Sequence, residues 1–280
     1  MLVLFRILSR WPLVCLHALG WLLGWLAYAL SPTYRQRLRH NAALAGVSGA
    51  ALRTSIGQAG MQLAELPRLW MGPPVPVQWV GAEQVQAALA EGQGILFLTP
   101  HLGCFEITAQ AYAQRFGRAG QPITVLFRPP RKAWLRELVG MARAREGLHT
   151  APTTLAGVKQ LIKALKAGQC VGMLPDQVPG AGQGVWVPFF GQQAYTMTLA
   201  ARLAQQTGAA VLVAWGERLP RGRGYAVHVA PLSQVLPEPL AADLQHAAAQ
   251  MNRAMEALIR SAPQQYLWGY DRYKQPREDA

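Results

Sequence analysis

Short, uninterrupted apolar runs alternating with amphipathic stretches constrain this chain more than any other feature. GILFLT (94–99), PITVLF (122–127), CVGML (170–174) and AAVLVAW (209–215) each have the length of a strand. Helical spacing separates them, over 83–91, from Gly103 to Phe116, in RKAWLRELVGMARAR (131–145), in TLAGVKQLIKALKAG (154–168) and at 195–206, with a long helix at 240–261. A strand buried on both faces reads as a continuous apolar run. Strand–helix alternation therefore predicts an α/β fold with a mainly parallel central sheet covered by helices. YAVHVA (225–230) alternates instead, the pattern of an edge strand. Upstream, 33–71 reads as helical until Pro67 and GPPVPV (72–77) end it.

The N-terminal part has a different character. Residues 11–34 carry no formal charge, and the apolar stretch from Trp11 to Leu30 is 20 residues long. As a helix it would extend about 30 Å, the thickness of a bilayer core. Trp11, Trp21, Trp25 and Tyr28 supply rings suited to membrane interfaces. The expected organisation is a transmembrane or membrane-anchor helix over 1–32 and a catalytic domain over 33–280. A cleaved signal peptide ending at AYA (27–29) and an in-plane helix are the competing readings.

Composition supports membrane contact. The 280 residues are 51% hydrophobic and only 15% charged, with a net charge of +13, where soluble domains carry about 25% charged residues. The first 64 residues hold six arginines and no acid. A second basic stretch, 115–145, sets eight Arg and Lys against Glu137 alone. Such surfaces suit anionic lipid headgroups, an acidic carrier protein or nucleic acid. Nucleic-acid binding by a membrane-tethered basic protein is the different-class alternative, and no aromatic–basic interleaving on strands supports it. Three scattered cysteines form neither a disulfide framework nor a C-x-x-C metal pair. Motifs for a serine nucleophile elbow, a phosphate-binding P-loop, a complete dinucleotide fingerprint and a zinc protease are absent from the sequence.

The chemistry-bearing residues cluster at strand ends, where ligands bind in parallel α/β sheets. His101 and Glu106, in PHLGCFEI, lie five positions apart just after the first strand. Neither a helix nor a strand brings residues at that spacing together. They meet only if His101 ends the strand and Glu106 starts the following helix. The imidazole could then take a proton from a substrate hydroxyl while the carboxylate orients it. Cys104 between them is the rival, as an activated thiol or as packing. Arg128 in VLFRPP, Arg143 and Arg145 in MARAR, and Asp176-Gln177 in GMLPDQ also interrupt apolar context. Arginines there can grip phosphate. Asp176 has two open roles, pairing with an arginine or contacting substrate.

These residues resemble those of a known family, the bacterial lipid A biosynthesis (late, or secondary) acyltransferases. They belong to the wider lysophospholipid and glycerolipid acyltransferase group marked by His-x4-Asp/Glu. The matching stretches are the N-terminal apolar segment, ILFLTPHLGCFE, VLFRPPRKAWLRELV with RAREG, KQLIKALKAGQCVGMLPDQVPGAGQGVWVPFFGQQAYTMT, LAQQTGAAVL and APQQYLWGYDRYK. The resemblance implies a glycerolipid acyltransferase-like fold and transfer of a fatty acyl chain from an acyl carrier protein thioester, or acyl-CoA, to a lipid A precursor hydroxyl. It implies His101 as general base and Glu106 as its partner. Arg128 with Arg143 or Arg145 would bind phosphate or oxyanion, and Asp176 with Gln177 would shape the pocket. It also implies the cytoplasmic face of a bacterial inner membrane and no metal or redox cofactor. The same chemistry on another glycolipid or an amino-lipid is the close alternative.

Overall fold

The computed structural model describes residues 2–127, 138–140 and 145–278. The N-terminal quarter is helical: α1 (Leu2–Leu8), α2 (Leu13–Leu30), α3 (Pro32–Leu44), α4 (Gly49–Ala64) and α5 (Leu66–Met71). Then follow β1 (Val77–Val80), α6 (Ala82–Glu91), β2 (Ile95–Leu98), α7 (Phe105–Arg115), β3 (Ile123–Phe127) and β4 (Leu148–Pro152). The remainder is α8 (Leu155–Lys166), β5 (Cys170–Met173), β6 (Gly184–Phe189), β7 (Gln192–Met197), α9 (Leu199–Thr207), β8 (Ala210–Arg218), β9 (Tyr225–Pro231), α10 (Leu232–Val235) and α11 (Leu244–Ser261).

Among the described residues, seven strands form one sheet in the order β1-β9-β8-β2-β5-β3-β4. All neighbours are parallel except β8 and β9, so β1 and β9 run against the other five. The central strand β2 shows why an apolar run is needed. Ile95 and Phe97 enter one core layer, with Ile107 and Tyr112 of α7. Leu96 and Leu98 enter the other, with Leu161 and Leu165 of α8 and Met255 of α11. Side chains alternate with period two, so a strand covered on both faces carries apolar residues at every position.

Side chains cap the starts of some of these helices. Thr154 caps α8 by accepting from the Gly157 backbone N–H, and Asp243 caps α11 by accepting from His246. The helical stretch at 33–71 is three helices, broken at Gly46, whose φ is +73°, and again before Pro67.

Two expectations need correction. YAVHVA is an interior strand, because β1 pairs parallel to it and takes the edge. Alternation there reflects uneven cover of the two faces. The helix expected from 195 begins at Leu199, and β7 before it forms an antiparallel hairpin with β6. The opposite edge, β4, lacks the apolar run that identifies a strand. The helix expected over 131–145 lies largely outside the described residues.

The apolar segment is helical, as α2, and it packs closely on α4. A Cβ added at Gly60 would sit 2.0 Å from the Gly20 carbonyl oxygen, and one at Gly24 2.2 Å from that of Ile56. Small residues on both helices thus allow backbone-to-backbone contact.

Candidate active site

The site forms on the loop between β2 and α7. Thr99 continues the β2–β5 ladder, its N–H donating to Met173 O, and Pro100 ends it. The loop is then held from two sides. Cys104 N–H donates to Gly216 O of β8 at 2.7 Å, and Gly103 N–H to Gln265 O at 3.0 Å. Gly103 has φ +58°, and a Cβ there would lie 2.0 Å from Gly216 O, so glycine is required. The C-terminal stretch closes over the loop, Leu102 bridging Tyr266 and Leu267 N–H donating to His101 O. PQQYLW is therefore part of the site's frame.

His101 is oriented by Asp176. The ring Nδ1–H donates to Asp176 Oδ1 at 2.7 Å, and the His101 backbone N–H donates to Asp176 Oδ2 at 2.9 Å. Tyr266 OH adds a third donor to Oδ2 at 3.1 Å. Asp176 is 1% exposed. Burial pushes its carboxyl pKa up, but the His101 and Arg272 charges and the hydrogen bonds from His101 outweigh that and hold it below the usual carboxylate range. An ionised carboxylate only accepts, so Nδ1 carries the proton and Nε2 offers its lone pair. The Gln177 amide donates to Nε2 at 3.0 Å.

Glu106 occupies another place. It lies in the first turn of α7, as expected, but among the described residues its carboxylate accepts from the Trp70 indole N–H at 3.3 Å. Both His101 ring nitrogens are taken by Asp176 and Gln177. The expectation that Glu106 orients His101 is thus corrected: α7 starts only after Cys104, and its first turn directs residue 106 to the α5 side. Arg145 comes to the same region, donating to the carbonyl oxygens of Leu69 and Trp70, and its charge interacts favourably with Glu106. Arg128 and Arg143 lie outside the described residues.

Cys104 is 1% exposed. Burial, followed by the nearby Glu65 carboxylate, pushes its thiol pKa well up, the opposite of an activated nucleophile. Beside it lies a buried cluster that sequence reasoning missed. Glu65 accepts from Arg218 Nη2 at 2.8 Å and Nε at 2.9 Å and from Tyr225 OH at 2.9 Å, with His17 Nε2 at 3.3 Å. Arg218 also donates to Gly103 O at 2.8 Å, so this cluster supports the loop that bears His101.

An apolar cleft of about 750 Å³, its open mouth included, runs between α7 and the sheet. Thr99, Phe105 and Glu106 stand at the end beyond the β2 carboxyl terminus, and Ile123 and Leu148 at the opposite end of the sheet. Phe97, Tyr112, Val125 and Gly172 line it between them. Among the described residues no group of three or more His, Cys, Asp or Glu could hold a metal.

Comparison with known proteins identifies the family. The family model described as bacterial lipid A biosynthesis acyltransferase matches residues 1–275. A lipid A biosynthesis lauroyltransferase of Escherichia coli (strain K12) is 32% identical over 225 residues, 77% of this chain and 69% of that protein. A lipid A biosynthesis palmitoleoyltransferase of the same strain is 28% identical over 220 residues, covering 77% and 68%. A lipid A biosynthesis acyltransferase of Haemophilus influenzae is 25% identical over 193 residues, covering 68% and 57%. The matched stretches thus span between 57% and 69% of these relatives' own length. Matched along nearly all of its length, the chain belongs to the bacterial lipid A biosynthesis acyltransferase family.

Proposed function

We propose that this chain transfers a fatty acyl group from a carrier thioester, of acyl carrier protein or of CoA, to a hydroxyl of a lipid A precursor. The observation that carries the mechanism is the double contact of Asp176 with His101. It leaves Nε2 as the proton acceptor once the incoming hydroxyl replaces the Gln177 amide. The hydroxyl oxygen attacks the thioester carbonyl while its proton passes to Nε2. The tetrahedral adduct collapses, the C–S bond breaks, and the thiolate leaves with the proton from the imidazolium. An ester and a free thiol result. Asp176 stabilises the imidazolium and keeps the tautomer. No enzyme nucleophile is needed, because a thioester is already activated.

The apolar cleft suits the acyl chain, with its carbonyl end at the Thr99–Glu106 rim, where Phe105 packs against the His101 ring. Glu106 and Arg145 act on the polar part of the substrates, and Arg128 and Arg143 are the further candidates for phosphate. The +13 charge fits anionic membrane lipid and an acidic carrier protein. The setting is the cytoplasmic face of a bacterial inner membrane. Acceptor identity is tested by analysing the lipids of a strain lacking the gene: loss of one acyl chain from lipid A supports the reading. Intact lipid A with loss of acylation on another glycolipid or amino-lipid moves the acceptor there. Mechanism is tested by acyl transfer from carrier thioesters to membrane lipids by wild type, His101→Ala and Asp176→Asn. Full activity in His101→Ala would sink it.

A further inference from the structure

The helix α2 has two faces of different fate. Leu13, Leu16, His17, Gly20 and Gly24, spaced as one helical face, are buried against the rest of the protein. The contact runs along the whole helix. Val14 meets Gly222 near its start, His17 reaches the buried Glu65, Gly20 and Gly24 touch α4, and Trp25 and Tyr28 pack on the main core near its end. The opposite face, with Cys15, Ala18, Leu22, Leu26 and Ala29, is exposed and carries no polar residue. Leu22 is 65% and Leu30 73% exposed. On α1, Val3, Leu4 and Ile7 point outward in the same way, while Phe5 stacks on Trp70.

A helix that spans a bilayer alone is surrounded by hydrocarbon over about 30 Å. One sealed along its length to a folded body, through a His–Glu pair and backbone contacts, cannot be so surrounded. Yet a surface helix of a soluble domain carries polar residues on its outer face. The geometry points to a third arrangement, which rests on the membrane-lipid acceptor proposed above: α2 lies in the plane of the membrane, its outer face and that of α1 sunk into one anionic leaflet, and does not cross. Exposed Arg6 and Arg10 stand at one end and Arg39 beyond the other, with no acid in the first 64 residues. These arginines meet phosphate headgroups as the apolar face enters the leaflet. A second copy fits worse, since a symmetric pairing through this face would bring arginine ends against arginine ends in either orientation. The seat also places the Phe5–Trp70–Glu106 contact beside the leaflet, so an acceptor can reach the site without leaving it.

The test uses the full chain in right-side-out and everted inner-membrane vesicles of expressing cells, with a membrane-impermeant maleimide. In a Cys15→Ser background, exposed Arg10→Cys and Gln36→Cys flank α2, and exposed Lys163→Cys on α8 reports the side of the catalytic body. Cys104 and Cys170 are buried. Reaction of all three engineered cysteines from one side is expected. Reaction of Arg10→Cys and Gln36→Cys from opposite sides overturns the proposal. So does release of the protein by a simple buffer wash, or an efficient Cys15–Cys15 cross-link between wild-type copies. Acyl transfer measured in the same vesicles separates the two readings: one-sided labelling without lipid acylation keeps the in-plane seat and removes the enzymatic function.

Discussion

Asp176 holds His101 at two atoms, the ring Nδ1 and the backbone N–H, although 75 positions separate them in the chain. The backbone contact fixes the loop and the ring contact fixes the tautomer, so one carboxylate positions and polarises the imidazole.

Removing either partner should therefore cost about the same. His101→Ala and Asp176→Asn are each expected to lower kcat by roughly 10²–10⁴-fold. The double variant should be little worse than either single one, because the pair acts as a unit. Glu106→Gln combined with Asp176→Asn should come closer to additive, since Glu106 bonds elsewhere. Steady-state rates on one carrier thioester decide this, and additive losses for His101 and Asp176 would contradict the pairing.

Tyr266→Phe deletes one donor to a buried carboxylate. A loss of about 1–3 kcal/mol is expected for leaving such a group short of a partner. It should appear both as a lower kcat and as a lower unfolding midpoint. An unchanged kcat would mean that Tyr266 only packs.

The Glu65 cluster predicts how stability depends on pH. Burial pushes the Glu65 carboxyl up, but Arg218, then His17, draw it down from 4.5 to about 2. A lowered pKa gives stability that is fully present above about pH 4.5 and is lost as pH falls towards 2. Glu65→Gln breaks a buried pair and should cost roughly 3–5 kcal/mol at neutral pH. Denaturant unfolding in detergent should show the gap between wild type and variant narrowing as pH falls from 5 to 3. A gap constant across that range would refute the linkage.

Cys104→Ala should keep acyl transfer within a few-fold of wild type, and a labelled acyl group should not remain on the protein. A buried thiol with a raised pKa supplies no thiolate at neutral pH. Trapping of an acyl-enzyme at Cys104 would replace the direct-transfer mechanism.

Gly172 lines the apolar cleft, and a Cβ there would meet Val125 Cγ1 at 3.2 Å and Ile123 Cδ1 at 3.4 Å. Gly172→Val should narrow the cleft and shift preference towards shorter acyl donors, with a packing cost of about 1–3 kcal/mol. Competition between carrier thioesters of different lengths measures it. An unchanged preference would place the acyl chain elsewhere.

The sequence by itself determined the central strands, most of the helices and the place of His101 at a strand end. Apolar runs marked the central strands because both faces of the sheet are covered, and His101 followed one of them at the ligand-binding rim. Edge strands β1 and β4 escaped notice because half-covered strands lack that signal. Only the tertiary structure decided which carboxylate pairs with His101. Leu98 pairs with Met173 in the parallel β2–β5 register, so positions three residues beyond each strand end, 101 and 176, emerge side by side. Spacing within one segment favoured Glu106, but register between distant segments selects Asp176. Local periodicity carries no information about which strands become neighbours, because that follows from how all the helices and strands jointly bury their apolar faces. The same holds for α2: its composition predicted a membrane helix, and its packing on α4 and Glu65 set which face stays exposed.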